Sequence, residues 1–424
     1  MHARSGRFPL FDSLRAIAAI SVLAAHAAFL SGYLDVSNTF RQYAARLDVG
    51  VAVFFLISGF LLYRPFVAAR MRPDRQPATL PYAWRRFLRI VPAYWLALTV
   101  IAVWLGLGGV FTAAGIPIYY GLAQIYSADY VTGGIVQAWT LCVEVAFYAF
   151  LPLYALAMRA LPARSSRGRY LTEWAGLAAL FLIAFGWQAW RISTAGDPDH
   201  ANAVQGLLYL PAFLDQFALG MGLAVASVLL ADRDALPGVL RPLDRFPSIG
   251  LGLALVAFWA ASTQLGLDGR GGLTEPTTAA QYFGRHYLFA LVGFGLLLPV
   301  VFGDQRRGIW RKILAHPVLL YLGLVSYGIY LWQVGVIEQF SRWDLFRGGL
   351  GPFPAVAVWF VLGLLAATAT ASISYWVMER PLLRLKRLLP ARRPMPGEPA
   401  EPGVPEPGPL AVEDTVPAPP GRTA

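Results

Sequence analysis

Apolar runs about twenty residues long recur along this chain, and they restrict its fold more than any other feature. A helix of that length spans the hydrocarbon of a bilayer. There every backbone N–H and C=O must be bonded within the protein, which leaves helices or a closed barrel. The runs are continuous rather than alternating, so they predict helices. They fall at about 14–33, 48–68, 90–108, 139–158, 171–190, 207–230, 248–265, 286–303, 318–340 and 355–378. The expected fold is an all-α integral membrane protein, a bundle of about ten transmembrane helices. The composition agrees: 57% of residues are hydrophobic, only 14% are charged, and the mean hydropathy is +0.53. The start, MHARSGRF before an apolar run, resembles a secretory signal with AHA as a mimic of its cleavage site. Because the run continues to about Leu34 and no soluble domain follows, it is read as a retained first span.

The net charge of +11 does not point to nucleic acid, because the basic residues sit in short blocks between apolar runs. The blocks MRPDRQ, RALPARSSRGR, DRDALPGVLRPLDR, DQRRGIWRK and RPLLRLKRLLPARR follow the second, fourth, sixth, eighth and tenth runs. By the positive-inside rule these lie on one side, and both termini are expected to be cytoplasmic. The longest opposite loop, 109–138, has no Lys or Arg, and partial re-entry into the membrane is expected there. Residues 1–389 read as one membrane domain. Residues 390–424, rich in Pro, Gly and Glu, read as a disordered cytoplasmic tail. One cysteine, Cys142, rules out an intramolecular disulfide. No phosphate-binding glycine loop is present.

Ionisable groups inside such runs are costly and point to function. Arg15 and His26 lie in the first run, eleven residues apart. At about 100° and 1.5 Å per residue they share one stripe, about 16 Å apart along the axis. Glu144, near the outer end of the fourth run, is expected at the depth of His26. A histidine beside a carboxylate can serve as a general base, or the two can form an interhelical hydrogen bond. Asp215 reads as structural, with nothing near it to complete a site. Cys142 can carry an acyl thioester, but as a small residue it fits helix packing better. Arg85, Arg86 and Arg89 open the third run, where positive-inside accounts for single arginines. Arg86 and Arg89, three apart, share a helix face, and with Arg15 they can bind phosphate bidentately. His200 and His286 fall in or beside external loops and His316 in a cytoplasmic one. None has a partner at metal-ligand spacing, so no metal site is expected.

Six segments, in order, resemble the acyltransferase family 3 membrane proteins: FDSLRAIAAISVLAAHA, VGVAVFFLISGFLL, RRFLRIVPAYW, WTLCVEVAFYAFLPL, LGLVSYGIYLWQ and YWVMERP. Val145 stands where a second acidic residue is usual, and Gln333 where the family has histidine. The resemblance implies an O-acyltransferase in a stand-alone form, without the fused extracytoplasmic hydrolase-like domain of many members. It makes His26 the residue that activates the acceptor hydroxyl, with Glu144 also catalytic. Arg15, Arg86 and Arg89 would hold the phosphates of a cytoplasmic acyl-CoA. Asp12, Ser58, Ser326, Tyr327, Gln333 and Glu379 would support them. Acyl-CoA, with acetyl-CoA favoured, would be a co-substrate, and no cofactor would be permanently bound. The acceptor would be a hydroxyl on a cell-envelope glycan or a glycosylated secondary metabolite, and the location the plasma (inner) membrane. Two other readings stay open at this point: a secondary transporter with His26 and Glu144 as a proton relay, and an inactive structural homologue.

Overall fold

A computed structural model describes residues 8, 10–71, 79–163, 165–194, 205–231, 237–238, 241–269, 278–304, 307–343 and 352–389. The proposed tail from 390 and His200 lie outside these. Every regular element among the described residues is helical. The long helices are α1 (Leu10–Leu30), α2 (Gly50–Met71), α3 (Thr79–Trp104), α4 (Trp139–Ala160), α5 (Ser166–Ser193), α6 (Leu214–Leu229) and α7 (Ser248–Thr263). They continue with α8 (Ala279–Val301), α9 (Pro317–Leu324), α10 (Ser326–Arg342) and α11 (Pro352–Ser374). Each of the ten apolar runs therefore corresponds to a helix or a helix pair. Among the described residues, eight segments are long and apolar enough to cross a membrane. A ninth run is broken: α9 and α10 meet at 71°. The remaining helix, α7, has 16 residues, about 24 Å of rise, short of a typical hydrocarbon core.

Close backbone contact builds the bundle. Lipid tails are as apolar as leucine, so helix association in membranes relies on packing and small residues. Gly59 of α2 lies against the Phe217 carbonyl of α6, while Gly220 of α6 lies against the Leu56 carbonyl of α2. A methyl group at either position would overlap backbone atoms. Gly323 of α9 abuts the backbone of Asp12, which sets α9 beside the start of α1. Arg311, fully buried, donates to the carbonyls of Pro299 and Asp304 at 2.7 Å each and closes the end of α8. There its charge also opposes the helix dipole.

The segment between α3 and α4 packs into the bundle as short helical turns, burying Val110, Tyr119, Ile125, Ile135 and Ala138. Tyr94 donates to the Tyr119 carbonyl at 2.8 Å, and Gln137 Nε2 donates to the Tyr330 and Leu331 carbonyls of α10 at 3.1 and 3.0 Å. The first turn of α4 is thus covered rather than lying at an outer surface. That lowers Glu144 into the bundle.

Candidate active site

Five helices converge on a cleft of about 70 Å³. Its polar lining is Arg15 from α1, Ser58 from α2, Arg86 and Arg89 from α3, Thr140, Glu144 and Tyr148 from α4, and Ser326, Tyr327 and Tyr330 from α10. Arg86 and Arg89 share a face of α3 because they are three residues apart. Arg15 is held by Asp12 one turn before it, at 2.9 Å. Glu144 is fixed at both oxygens, by Ser58 Oγ at 3.0 Å and by the Tyr148 hydroxyl at 2.8 Å. Tyr327 donates to the Ile90 carbonyl at 2.8 Å and ties α10 to α3. Ser326 donates to the Gly323 carbonyl at 2.8 Å across the α9–α10 break.

Among the residues that line the cleft, three guanidiniums face one carboxylate, Glu144, whose electrostatic partners are Arg15 and Arg89; Asp12 on Arg15 and Glu379 near Arg89 lie outside the lining. The Arg86 Nε atom is buried with no hydrogen-bond partner among the described residues. Arg89 is exposed and marks the mouth. Buried donors without acceptors cost free energy unless a ligand supplies an acceptor. Guanidiniums can pair bidentately with a phosphate-bearing anion. Glu379 lies outside the lining, in a π-helical turn, Tyr375–Glu379, that closes α11. The Ser374 hydroxyl approaches it at 3.4 Å, and Arg89 is its principal opposite charge.

His26 is not in the cleft. It lies on α1 eleven residues beyond Arg15, about 16 Å along the same stripe. Its Nδ1 is 2.9 Å from the Val22 carbonyl. A carbonyl only accepts, so Nδ1 carries the proton and the neutral ring keeps its lone pair on Nε2. Nε2 has no hydrogen-bond partner among the described residues. That is the tautomer a general base requires, fixed here by backbone rather than by a carboxylate. The expected level of Glu144 with His26 is therefore corrected. The buried segment before α4 sets Glu144 among the arginines instead, and the paired groups a His26–Glu144 proton relay would need are not together.

The sequence reading overlooked a second polar cluster. His286 was expected in or beside an external loop and Asp215 without neighbours, but both are buried inside helices α8 and α6 and bonded at 2.8 Å. Gln188 of α5 donates to Asp215 Oδ2 at 3.3 Å and to the Ala212 carbonyl at 2.6 Å. Beside it, Arg285 pairs with Asp48 at 2.5 Å, and Asp48 is the charge nearest His26 in electrostatic terms. Asp215 and His286 are 71 residues apart, and no local motif links them. The signal available was two ionisable groups in apolar runs. Cys142 is buried, with its Sγ donating to the Ala138 carbonyl at 3.3 Å. Among the described residues no three His, Cys, Asp or Glu side chains converge as metal ligands.

Residues 9–377 match a family described as "Acyltransferase domain". Among curated relatives, the chain is 30% identical to "Exopolysaccharide production protein ExoZ" of Rhizobium meliloti (strain 1021), over 83% of this chain and 94% of that protein. It is 26% identical to "Acyltransferase MdmB" of Streptomyces mycarofaciens, over 93% and 96%. It is 21% identical to "O-acetyltransferase OatA" of Staphylococcus aureus, over 88% of this chain but 57% of that longer protein. No solved structure matches the chain.

Proposed function

Because this chain belongs to acyltransferase family 3, we propose that it moves an acyl group from cytoplasmic acyl-CoA to the hydroxyl of a carbohydrate-containing acceptor. The observation that carries this reading is an arginine cleft with a buried, unbonded Arg86 nitrogen at one end of a stripe that ends at a base-competent histidine. Arg15, Arg86 and Arg89 take the phosphates of the donor. Glu144 keeps the guanidiniums apart and oriented through Ser58 and Tyr148, and it acts on the donor end rather than on His26. The axial distance from Arg15 to His26 is comparable with an extended pantetheine arm, so a thioester anchored at the arginines reaches the histidine.

At His26, Nε2 takes the proton of the acceptor hydroxyl as its oxygen attacks the thioester carbonyl. The C–O ester bond forms, the C–S bond breaks, and the CoA thiolate leaves and recovers the proton. The imidazole ends neutral, with no net proton consumed. A relative named for exopolysaccharide production and another named an O-acetyltransferase support an acetyl group and a glycan acceptor. Basic blocks on one face support both termini in the cytoplasm and residence in the plasma membrane.

The test is labelled acetyl-CoA supplied to sealed inside-out vesicles carrying the parent or His26→Ala. Label is followed into lipid-linked glycan and small-molecule fractions. His26-dependent transfer is expected, and the labelled fraction identifies the acceptor. If folded protein neither binds acetyl-CoA nor transfers its label, the reading is wrong.

A further inference from the structure

Gln333 lies in the middle of α10 with no exposed surface, and both polar atoms of its side-chain amide lack a hydrogen-bond partner among the described residues. A buried amide left in that state costs free energy that a partner would return. Its position narrows the kind of partner that would satisfy it. Ser326, Tyr330 and Gln333 recur at helical spacing and share one face of α10. Ser326 and Tyr330 line the arginine cleft, so Gln333 extends that wall by about one turn. At one end of the α9–α10 pair, Gly323 rests on the backbone of Asp12; further along, Ile337 and Leu23 both reach Gly363 of α11. Interpolating between those two contacts sets Gln333 between the levels of Arg15 and His26. Gln137 adds a second unused group at this wall. Its Nε2 is bonded to the α10 backbone, while its Oε1 is buried and without a partner among the described residues.

We propose that Gln333 is a donor-binding residue that recognises an amide of the pantetheine arm, with Gln137 Oε1 offering a second acceptor; this rests on the acyl-CoA reading above. The pantetheine arm is largely apolar between its phosphate and its sulfur, apart from one hydroxyl and two amides. Each amide presents one N–H and one C=O. A carboxamide pairs with both at once and needs no charge at that depth, where an ionised side chain would be far more costly. The cleft then reads the donor at two places, phosphate by guanidinium and arm by carboxamide.

The test uses acetyl-CoA and S-acetyl-N-acetylcysteamine, a truncated donor that keeps the thioester and one amide but has no phosphate. Gln333→Met is expected to raise KM about 3- to 10-fold for both donors, the effect of one or two lost neutral hydrogen bonds. Arg86→Ala should act far more strongly on acetyl-CoA than on the truncated donor. A readout without turnover is the rise in melting temperature that acetyl-CoA causes. In Gln333→Met this rise should shrink, while the donor-free melting temperature stays level or climbs, because methionine orphans no amide. An unchanged KM for both donors with an undiminished acetyl-CoA shift overturns the proposal and leaves the acyl-CoA reading intact. A lower donor-free melting temperature with a normal shift also overturns it, since the amide would then serve structure or a buried water. If the parent shows no response to acetyl-CoA, the functional reading itself fails and the proposal falls with it.

Discussion

The arginine cleft (the inner cleft of the functional reading above) and the Asp215–His286 cluster (the outer one) are built from the same kinds of side chain, but their charged groups are paired differently. Around Asp215 and His286 the charges are matched and bonded: Asp215 to His286, Gln188 to Asp215, Arg285 to Asp48. Around Arg15, Arg86 and Arg89, carboxylates attend Arg15 and Arg89, but a nitrogen of the Arg86 guanidinium is buried without a partner among the described residues. An ionisable residue in a membrane helix is thus not by itself a mark of catalysis. What separates the two regions is the pairing of charge. Asp215 with His286 and Arg285 with Asp48 are ion pairs, whereas Arg86 forms none among the described residues. The Gln188 and Gln216 amide oxygens and the Tyr287 hydroxyl of the former cluster are also without partners there. The Asp215–His286 cluster fastens α5, α6 and α8 together, while the arginine cleft leaves a buried guanidinium nitrogen unbonded.

The sharpest way to break this contrast is at His26, which belongs to neither cluster. His26→Ala should reduce acyl transfer by about 10²–10⁴-fold, the usual contribution of a general base, with acetyl-CoA binding retained. Transfer rates in vesicles and binding by calorimetry check this, and a fall in binding of similar size would place His26 in the donor site instead. Next is the outer pair. Asp215→Ala strands the His286 and Gln188 donors, at about 1–3 kcal/mol each, and should lower the melting temperature in detergent. The double change Asp215→Leu with His286→Leu should recover much of it, because removing both partners leaves fewer orphans. A large KM effect with normal stability would show that the outer cluster serves catalysis after all.

The inner cleft should behave the other way round. Arg86→Ala is expected to raise KM for acetyl-CoA by about 10- to 100-fold, the size of a lost charge-assisted hydrogen bond, with little change in melting temperature. A destabilised Arg86→Ala with unchanged KM would erase the distinction. The smallest effect is expected at Ser58→Ala. It removes one of the two bonds to Glu144 and should raise KM only a few-fold, about 1 kcal/mol. Steady-state kinetics on acetyl-CoA would detect it, and an effect rivalling that of Arg86 would show that Ser58 touches the donor directly.

The helices were legible because bilayer physics permits little else for runs of this length, and each predicted apolar run has a helical counterpart. The break at Val325 was not legible. Nothing between Leu324 and Ser326 signals it, and it coincides with Gly323 pressed on the Asp12 backbone, a contact between segments three hundred residues apart in sequence. Within the cleft, Arg15, Ser58, Arg86, Arg89, Glu144, Ser326 and Tyr327 were all singled out from local motifs, and the structure brings them together. The depth of Glu144 was misjudged because counting from Trp139 treats the preceding loop as a surface, whereas Ile125 and Ala138 are fully buried. Asp215 with His286 escaped because pairing across 71 residues depends on how α6 and α8 pack. Gln333 was visible as a departure from the family pattern, but only its burial shows that its amide is unmet.

The mutual glycine contact between α2 and α6 fixes more than the packing of two helices. Ser58 precedes Gly59, so the hydroxyl that holds Glu144 is referenced to a contact between main chains, which no side-chain rearrangement can absorb. Residues on the lipid-facing sides of these helices are therefore free to drift without disturbing the spacing of the cleft. A single methyl group at Gly59 or Gly220 would move the whole ruler against which that spacing is measured.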